Sequence, residues 1–283
     1  MWQKSYDGSP NLYLIPTPIG NMDDITIRTI NILKSVEVIF SEDTRVTNLL
    51  LTHFDIHKKL ISLHEHNEDM VKEKVLDFLN KGFSVGLVTD RGTPIISDPG
   101  YKTVKYISEK GYNVVALPGA CAFIPALIVS GIAPQPFTFY GFLDSKDSKK
   151  RKELDSLKFI PNTIIFYEAP HRIYKTLSLM LDIFGDRYIS ISREISKKFE
   201  SVFRGKISDA LKSVDNAKGE FVIVVSGYIL ENNVSDLSIY DNVSLYISNG
   251  IDKMDAIKMV AKERGLTKGE VYSIYHKEAL KWN

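Results

Sequence analysis

Residues 85–100 read Val-Gly-Leu-Val-Thr-Asp-Arg-Gly-Thr-Pro-Ile-Ile-Ser-Asp-Pro-Gly. The first four form an apolar run of strand length, too short for a helix. Two Gly/Pro turns follow within the eleven residues 90–100, and a helical pattern opens at Tyr101. A strand that leads through a turn-rich loop into a helix is the repeating unit of an α/β protein. Glycine lets the backbone come close to a ligand, so the same loop marks a candidate site.

Working outward, further apolar runs occupy residues 12–15, 38–40, 60–63 and 114–117. Between them Ile27, Ile30, Leu33 and Val36, then Val71, Val75 and Leu79, recur at helical spacing. This alternation predicts a mostly parallel sheet wrapped by helices. In such sheets ligands sit beyond the carboxyl ends of the strands, so chemistry is sought just after each run. A seam falls at Pro118-Gly119. Beyond it runs at 137–140, 163–167, 188–192, 201–204 and 221–226 predict a second, more mixed α/β half. Residues 231–238 read as a polar linker. The last segment is helical. Met254, Ile257, Val260 and Ala261 make one stripe, Gly265 ends that helix, and Thr267-Lys268-Gly269-Glu270 is a capping box opening a second helix with Val271, Ile274 and Tyr275. The expected organisation is two α/β domains, 1–118 and 119–230, and a helical, helix-turn-helix-like hairpin within 239–283.

The composition narrows the function classes. The chain has 283 residues, 44% hydrophobic and 25% charged, which is ordinary for a globular protein and excludes collagen-like and largely disordered readings. Lys+Arg of 36 against Asp+Glu of 35 excludes a globally basic coat and leaves room for local patches. Six basic residues against three acidic in 146–158 make one such patch. Cys121 is the lone cysteine, so an intrachain disulfide and a Cys-based zinc site are out, and a reducing, cytoplasmic home is expected. No apolar stretch reaches the roughly 20 residues of a membrane span, so a soluble protein is expected.

Several local patterns carry chemistry or imitate it. Gly82-Phe83-Ser84-Val85-Gly86 has the form of a nucleophile elbow, but that motif needs its serine after a strand, and Ser84 stands before one. It reads as a loop leading into a strand. His53 and His57 lie in a polar connection without a third ligand, and no metal is expected. His64-Glu65-His66 follows the run 60–63, which leaves a catalytic or RNA-contacting role and a plain polar loop both open. Thr17-Pro18-Ile19-Gly20-Asn21 and Ser41-Glu42-Asp43-Thr44-Arg45 also occupy carboxyl ends of strands.

Taken in order, TPIGN (17–21), SEDTR (41–45), HEHNE (64–68), D-x-GTPIISDPG (90–100), Pro118-Gly119, YEAPHR (167–172), SREI (192–195) and KGEFVIVVSG (218–227) resemble the tetrapyrrole methylase superfamily. Within it the chain is similar to the bacterial methyltransferases that act on a cytidine 2′-hydroxyl of small-subunit (16S) ribosomal RNA. The resemblance runs from about Leu12 to the C-terminus. It implies S-adenosylmethionine in a cleft between two α/β domains, a homodimer, and the ribosomal RNA or 30S subunit as partner, with no membrane. Residue by residue it implies cofactor contacts at Pro18, Gly20, Asn21, Asp90, Gly92, Thr93, Pro94, Ile95, Pro118, Gly119, Cys121, Tyr167, Glu168, Pro170, His171, Gly219 and Glu220.

A ribose hydroxyl is a poor nucleophile at neutral pH, so a base or a cation is sought beside it. Asp43, His64, Glu65 and His66 are the base candidates and Arg45 the cation candidate. For RNA contact the candidates are Lys146, Lys149, Lys150, Arg151 and Lys152, and in the hairpin Lys253, Lys258, Lys262, Arg264 and Lys268. The chain departs from the family at Arg91, where a small alanine is usual, and at Ala120-Cys121-Ala122, where Pro-Ser-Ala is usual. Three readings stay open: the RNA methyltransferase, a methylase of tetrapyrroles in the cobalamin or siroheme pathways, and a non-catalytic RNA-binding relative with a decayed cofactor site.

Overall fold

A computed structural model describes residues 2–5, 7–214, 218–229, 237–248 and 250–279. The chain divides into two compact units, residues 1–155 with 162–226, and residues 156–161 with 227–283. The first unit opens with β1 (Asn11–Ile15), α1 (Ile27–Ser35), β2 (Val38–Ser41), α2 (Thr44–His53), β3 (Lys59–Ser62), α3 (Glu68–Asn80), β4 (Val85–Val88), α4 (Tyr101–Glu109) and β5 (Asn113–Ala116). The five strands form one wholly parallel sheet in the order β3-β2-β4-β1-β5.

Period-two alternation explains why both faces of this sheet are covered. Leu12, Val38, Phe40, Val85 and Leu87 point to one face and pack on Val71, Val75 and Leu79 of α3 and Ile107 of α4. Ile15, Ile39, Val88 and Val115 point to the other and pack on Leu33 of α1 and Leu51 of α2. Ser84 sits at the foot of β4, where its hydroxyl accepts from the Asn11 backbone N–H (3.0 Å). It is a strand-pairing residue, as its position before the strand predicted.

The second half of this unit continues with α5 (Phe123–Val129), β6 (Phe137–Phe142), α6 (Asp147–Leu157), β7 (Thr163–Glu168), α7 (Ile173–Phe184), β8 (Tyr188–Arg193), β9 (Ser201–Lys206), α8 (Ile207–Leu211) and β10 (Phe221–Val225). Its sheet has the order β6-β7-β10-β8-β9, parallel only between β6 and β7. Ala126 and Leu127 of α5 pack on Ile165, Val222 and Val224 of this second sheet. Because β10 runs antiparallel to β7 and pairs Phe221 with Glu168, the start of β10 lies beside the carboxyl end of β7.

Among the described residues the second unit carries three helices, α9 (Ile239–Ser248), α10 (Lys253–Arg264) and α11 (Lys268–Ala279). Gly265, left-handed at φ 64°, ends α10. Glu270 Oε2 accepts from the Thr267 N–H (2.7 Å), and Thr267 Oγ1 accepts from the Glu270 N–H (3.3 Å), which completes the capping box. The hairpin expected from sequence is therefore present, with α9 added to it through Val243 and Tyr246 in one core with Ile257, Val260 and Val271. Met254, read as part of the α10 stripe, is exposed, and Ala256 takes its place in the core. Most of the polar linker, residues 231–236, lies outside the described residues.

Candidate functional site

The carboxyl edge of the first sheet and the β7–β10 edge of the second enclose a cavity of about 490 Å³. That volume suits a small-molecule ligand. Gly92, Thr93, Ser97 and Asp98 enter it from the loop after β4. Cys121 and Ala122 come from the turn after β5, Tyr167, Pro170 and His171 from the end of β7, and Glu220 and Val222 from the start of β10. The loop after β4 is pinned by a two-bond bridge, Thr17 N–H to Gly92 O (2.9 Å) and Gly92 N–H to Thr17 O (3.0 Å), and by Thr93 Oγ1 donating to Ala120 O (3.0 Å). Gly92 takes φ 82°, and a Cβ there would lie 3.2 Å from Ile19 Cγ2 and 3.6 Å from Ala120 O. Ile95 is held at φ 80°, a conformation that non-glycine residues adopt at a cost and that clusters at functional sites.

Three ionisable cavity residues are occupied by structure. Glu168 is fully buried; it accepts from the Ala169 N–H (2.8 Å) and Thr176 Oγ1 (2.5 Å) and pairs with Arg172 (3.1 Å) and Lys150 (3.7 Å). Burial, with Cys121 next, pushes the Tyr167 hydroxyl up to about 12, so it stays protonated. Glu220 pairs with Arg91 (3.1 Å) and Lys197 (2.8 Å). Asp98 differs. Burial, and after it the negative charge of Glu42, raises its carboxyl to about 6, against the opposing pull of a hydrogen bond from Thr89. The single Thr89 hydroxyl proton is shared between the two acids, with Glu42 Oε2 at 3.0 Å, and Asp90, itself raised by burial, adds further negative charge. A carboxylate in a cleft with a pKa near neutrality is a candidate proton acceptor.

Of the residues assigned to the cofactor by resemblance, Gly92, Thr93, Cys121, Tyr167, Glu168, Pro170, His171 and Glu220 line this cavity. Asn21, Gly119 and Cys121 line an adjoining, more open cavity of about 810 Å³. Pro18, Gly20, Asp90, Pro94, Ile95, Pro118 and Gly219 line neither. Gly20 instead makes room for the Lys197 side chain, which a Cβ would approach to 2.5 Å. Asp90 Oδ1 accepts from the Asp43 N–H (3.0 Å) and ties the loop after β4 to the end of β2.

The base candidates read from sequence do not enter the cavity. Asp43 caps α2, accepting from the Arg45 N–H (2.8 Å), and pairs with Arg45 Nη2 (2.6 Å). The Arg45 side chain and backbone N–H hold the Asp43 carboxyl at about 2, which makes it a weak proton acceptor. His64, Glu65 and His66 form the turn after β3, an edge strand, where Asn67 Oδ1 accepts from the His64 N–H (2.8 Å). Asp98 was missed because Asp-Pro-Gly reads locally as a turn. The signal that pointed to it was the density of turns in residues 90–100.

The basic candidates also divide. Lys150 is a correction: it is 1% exposed, donates to Thr176 Oγ1 (2.7 Å) and faces Glu168, so it presents nothing to a nucleic acid. It shares the buried stripe of α6 with Leu154 and Leu157, at i, i+4 and i+7. Lys149 pairs with Asp144, Arg151 with Asp182 and Lys258 with Asp255, while Arg264 donates to Leu237 O. Lys253 meets His276, and Lys146, Lys152, Lys262 and Lys268 are exposed. Among the described residues no cluster of His, Cys, Asp and Glu could hold a metal ion, and no helix is long and apolar enough to cross a membrane.

Residues 11–211 match the family model of the Tetrapyrrole (Corrin/Porphyrin) Methylases. The chain is 46% identical over 285 residues to "Ribosomal RNA small subunit methyltransferase I" of Bacillus subtilis (strain 168), covering 97% of this chain and 98% of that one. It is 43% identical to the protein of the same name from Halalkalibacterium halodurans, over 98% and 99% of the two chains. Among solved structures, a cobalamin biosynthetic enzyme, cobalt precorrin-4 methyltransferase, superposes with a TM-score of 0.57 at 17% identity, over 76% of this chain and 94% of that one. That likeness concerns the fold alone. From the matched span and the near end-to-end relatives, the chain belongs to the tetrapyrrole (corrin/porphyrin) methylase family.

Proposed function

We propose that this chain is an S-adenosylmethionine-dependent methyltransferase that modifies the 2′-hydroxyl of a cytidine in small-subunit ribosomal RNA. The near full-length relationship to proteins named for the small ribosomal subunit RNA supports the RNA as substrate. The observation that carries the hydroxyl as acceptor is Asp98: a partly buried carboxyl, raised to about 6, on the wall of the cavity between the two sheets.

The cavity fits the cofactor. Ile19, Phe142, Ile195 and Val222 offer apolar walls, Thr93 and Ser97 offer hydroxyls, and Asp98 offers a negative charge to a sulfonium. S-adenosylmethionine supplies an electrophilic methyl group when bound. The protein's own contribution is orientation and proton management. The pinned backbone of Gly92 and Thr93 gives the cleft a rigid wall. Asp98, ionised above about pH 6, accepts the proton of the ribose hydroxyl as that oxygen becomes a nucleophile. Tyr167 keeps its proton throughout and acts as wall and hydrogen-bond partner. Arg91 does not block the cleft; its guanidinium lies on Glu220.

The test is methylation of small ribosomal subunits lacking the modification, followed by nucleoside mass spectrometry. Formation of 2′-O-methylcytidine is expected. A base-methylated nucleoside, or transfer to a tetrapyrrole with none to RNA, would overturn the reading. Calorimetry with S-adenosylmethionine separates an active protein from a relative with a decayed cofactor site.

A further inference from the structure

The helical unit carries an aromatic cluster at the margin of its core, against which Tyr275 packs, and none of its rings lines the candidate cleft. Tyr275 stacks on Tyr240 with centroids 5.2 Å apart and planes 19° from parallel. Lys253 Nζ lies 5.2 Å from the centroid of the Tyr275 ring and 3.1 Å from His276 Nε2. His276 in turn lies 4.4 Å from the ring of Tyr272, which is 42% exposed. Lys268, Tyr272 and His276 stand four residues apart on α11, so they follow one another along one face. Among the described residues no hydrogen bond or ion pair ties Tyr240, Tyr272, Tyr275 or His276 to a carboxylate.

We propose that this face, centred on Tyr272 with His276 beside it and Lys253 and Lys268 at its ends, is a stacking platform for an unpaired base of single-stranded RNA. The inference rests on the reading of the substrate as RNA and adds where, and in what conformation, a second stretch of that RNA is held. Three features select this occupant. A half-exposed tyrosine ring offers a π-face that any nucleobase can cover. The ring is backed by another ring, so its orientation is set before binding and little freedom is lost. Lys253 and Lys268 bring cations that complement a phosphate backbone, and the acidic group near Lys268, Asp255, is paired with Lys258 (2.7 Å). A double helix would offer its phosphates but not its base faces, since these are stacked on one another. The platform therefore discriminates unpaired from paired RNA, whereas lysines alone would not.

The experiment uses the full-length protein and a short single-stranded RNA carrying the fluorescent base 2-aminopurine, with a blunt duplex of the same sequence as comparison. Binding is measured across a salt series for the unmodified protein and for Tyr272→Ala, Tyr272→Phe and Lys268→Ala. Base–aromatic stacking predicts that Tyr272→Ala weakens single-strand binding by about five- to a hundredfold and leaves duplex binding unchanged. It also predicts an unchanged slope of log affinity against log salt, since no charge is removed. Tyr272→Phe keeps the ring and should bind like the unmodified protein. Lys268→Ala should lower the slope by roughly 0.7 if it neutralises one phosphate of a single strand. Circular dichroism melts check that Tyr272→Ala is folded. Unchanged affinity in Tyr272→Ala, an equal loss on single strand and duplex, or a change of oligomeric state would each overturn the platform, the last because the face would then join two copies of this chain. The two readings fail separately. If the protein binds the single strand in this ring-dependent way yet methylates no ribosomal RNA, the proposed function fails and the platform stands.

Discussion

Replacing Asp98 by asparagine removes the charge and keeps the size, and the structure assigns opposite signs to its effects on stability and on turnover. The Asp98 carboxyl moves from an ordinary 3.8 to about 6, chiefly through burial. A folded-state pKa above the unfolded one means that the native protein holds the proton more tightly. The associated stability is complete below about pH 4 and is lost as pH rises through about 6. Two pH units correspond to about 3 kcal/mol, but the side chain is only half buried, so solvent screening reduces this to about 1–2 kcal/mol. Asp98→Asn should therefore melt a few degrees higher than the unmodified protein at pH 7.5. At pH 4 the two should melt together. Turnover should fall by roughly 10²–10⁴-fold, the usual contribution of a positioned base, and its rise through pH 6 should vanish. Melting curves at the two pH values, with methyl transfer to ribosomal subunits across the same range, measure both arms. A variant that retains turnover, or one equally destabilised at both pH values, would refute the assignment of Asp98 as a strained proton acceptor.

Other expectations follow from the same geometry. Gly92→Val places a branched side chain at φ 82°, against Ile19 and Ala120 O, so calorimetry should show a loss of S-adenosylmethionine affinity greater than that of Arg91→Ala. Arg91→Ala removes an exposed pair with Glu220, 57% and 65% exposed, and should change chemical-denaturation stability by less than about 1 kcal/mol. Lys150→Ala opens a cavity and strips a buried partner from Glu168, and should cost about 3–5 kcal/mol in the same assay. Thr267→Ala breaks the capping box of α11 and should cost about 1 kcal/mol, seen as lower helical stability by circular dichroism.

Part of this protein is written locally. The alternation of strand-length apolar runs with helical stripes predicted the mostly parallel sheet wrapped by helices, and within the runs Leu12 and Ile15, or Val38 and Ile39, turn to opposite faces of that sheet. The stop at Gly265 and the capping box at Thr267 depend on atoms within a few residues of each other, and both stand as read. The buried Lys150 was also present in the periodicity, at i−4 from Leu154 and i−7 from Leu157, but its charge argued for a solvated face. A single residue cannot tell whether a cation is solvated or paired. Glu168 and Thr176, on β7 and α7, decide it.

The site divides in the same way. The runs and turns alone placed the loop after β4 at a carboxyl end, because strand, turn and helix signals are short-range. Which carboxylate in those loops would carry a raised pKa was settled only in three dimensions. Asp43 and Asp98 are the same residue type, both in loops after strands of one sheet. One lies beside Arg45 and is held at about 2; the other is buried near Glu42 and rises to about 6. The charges that raise Asp98 come from positions 42 and 90, brought together because β2 and β4 are adjacent strands although β3 and α3 separate them in the chain. Desolvation and charge crowding depend on such long-range neighbours, so the sequence by itself determined the edge at which the candidate site lies, and only the tertiary structure decided which carboxyl there has a raised pKa.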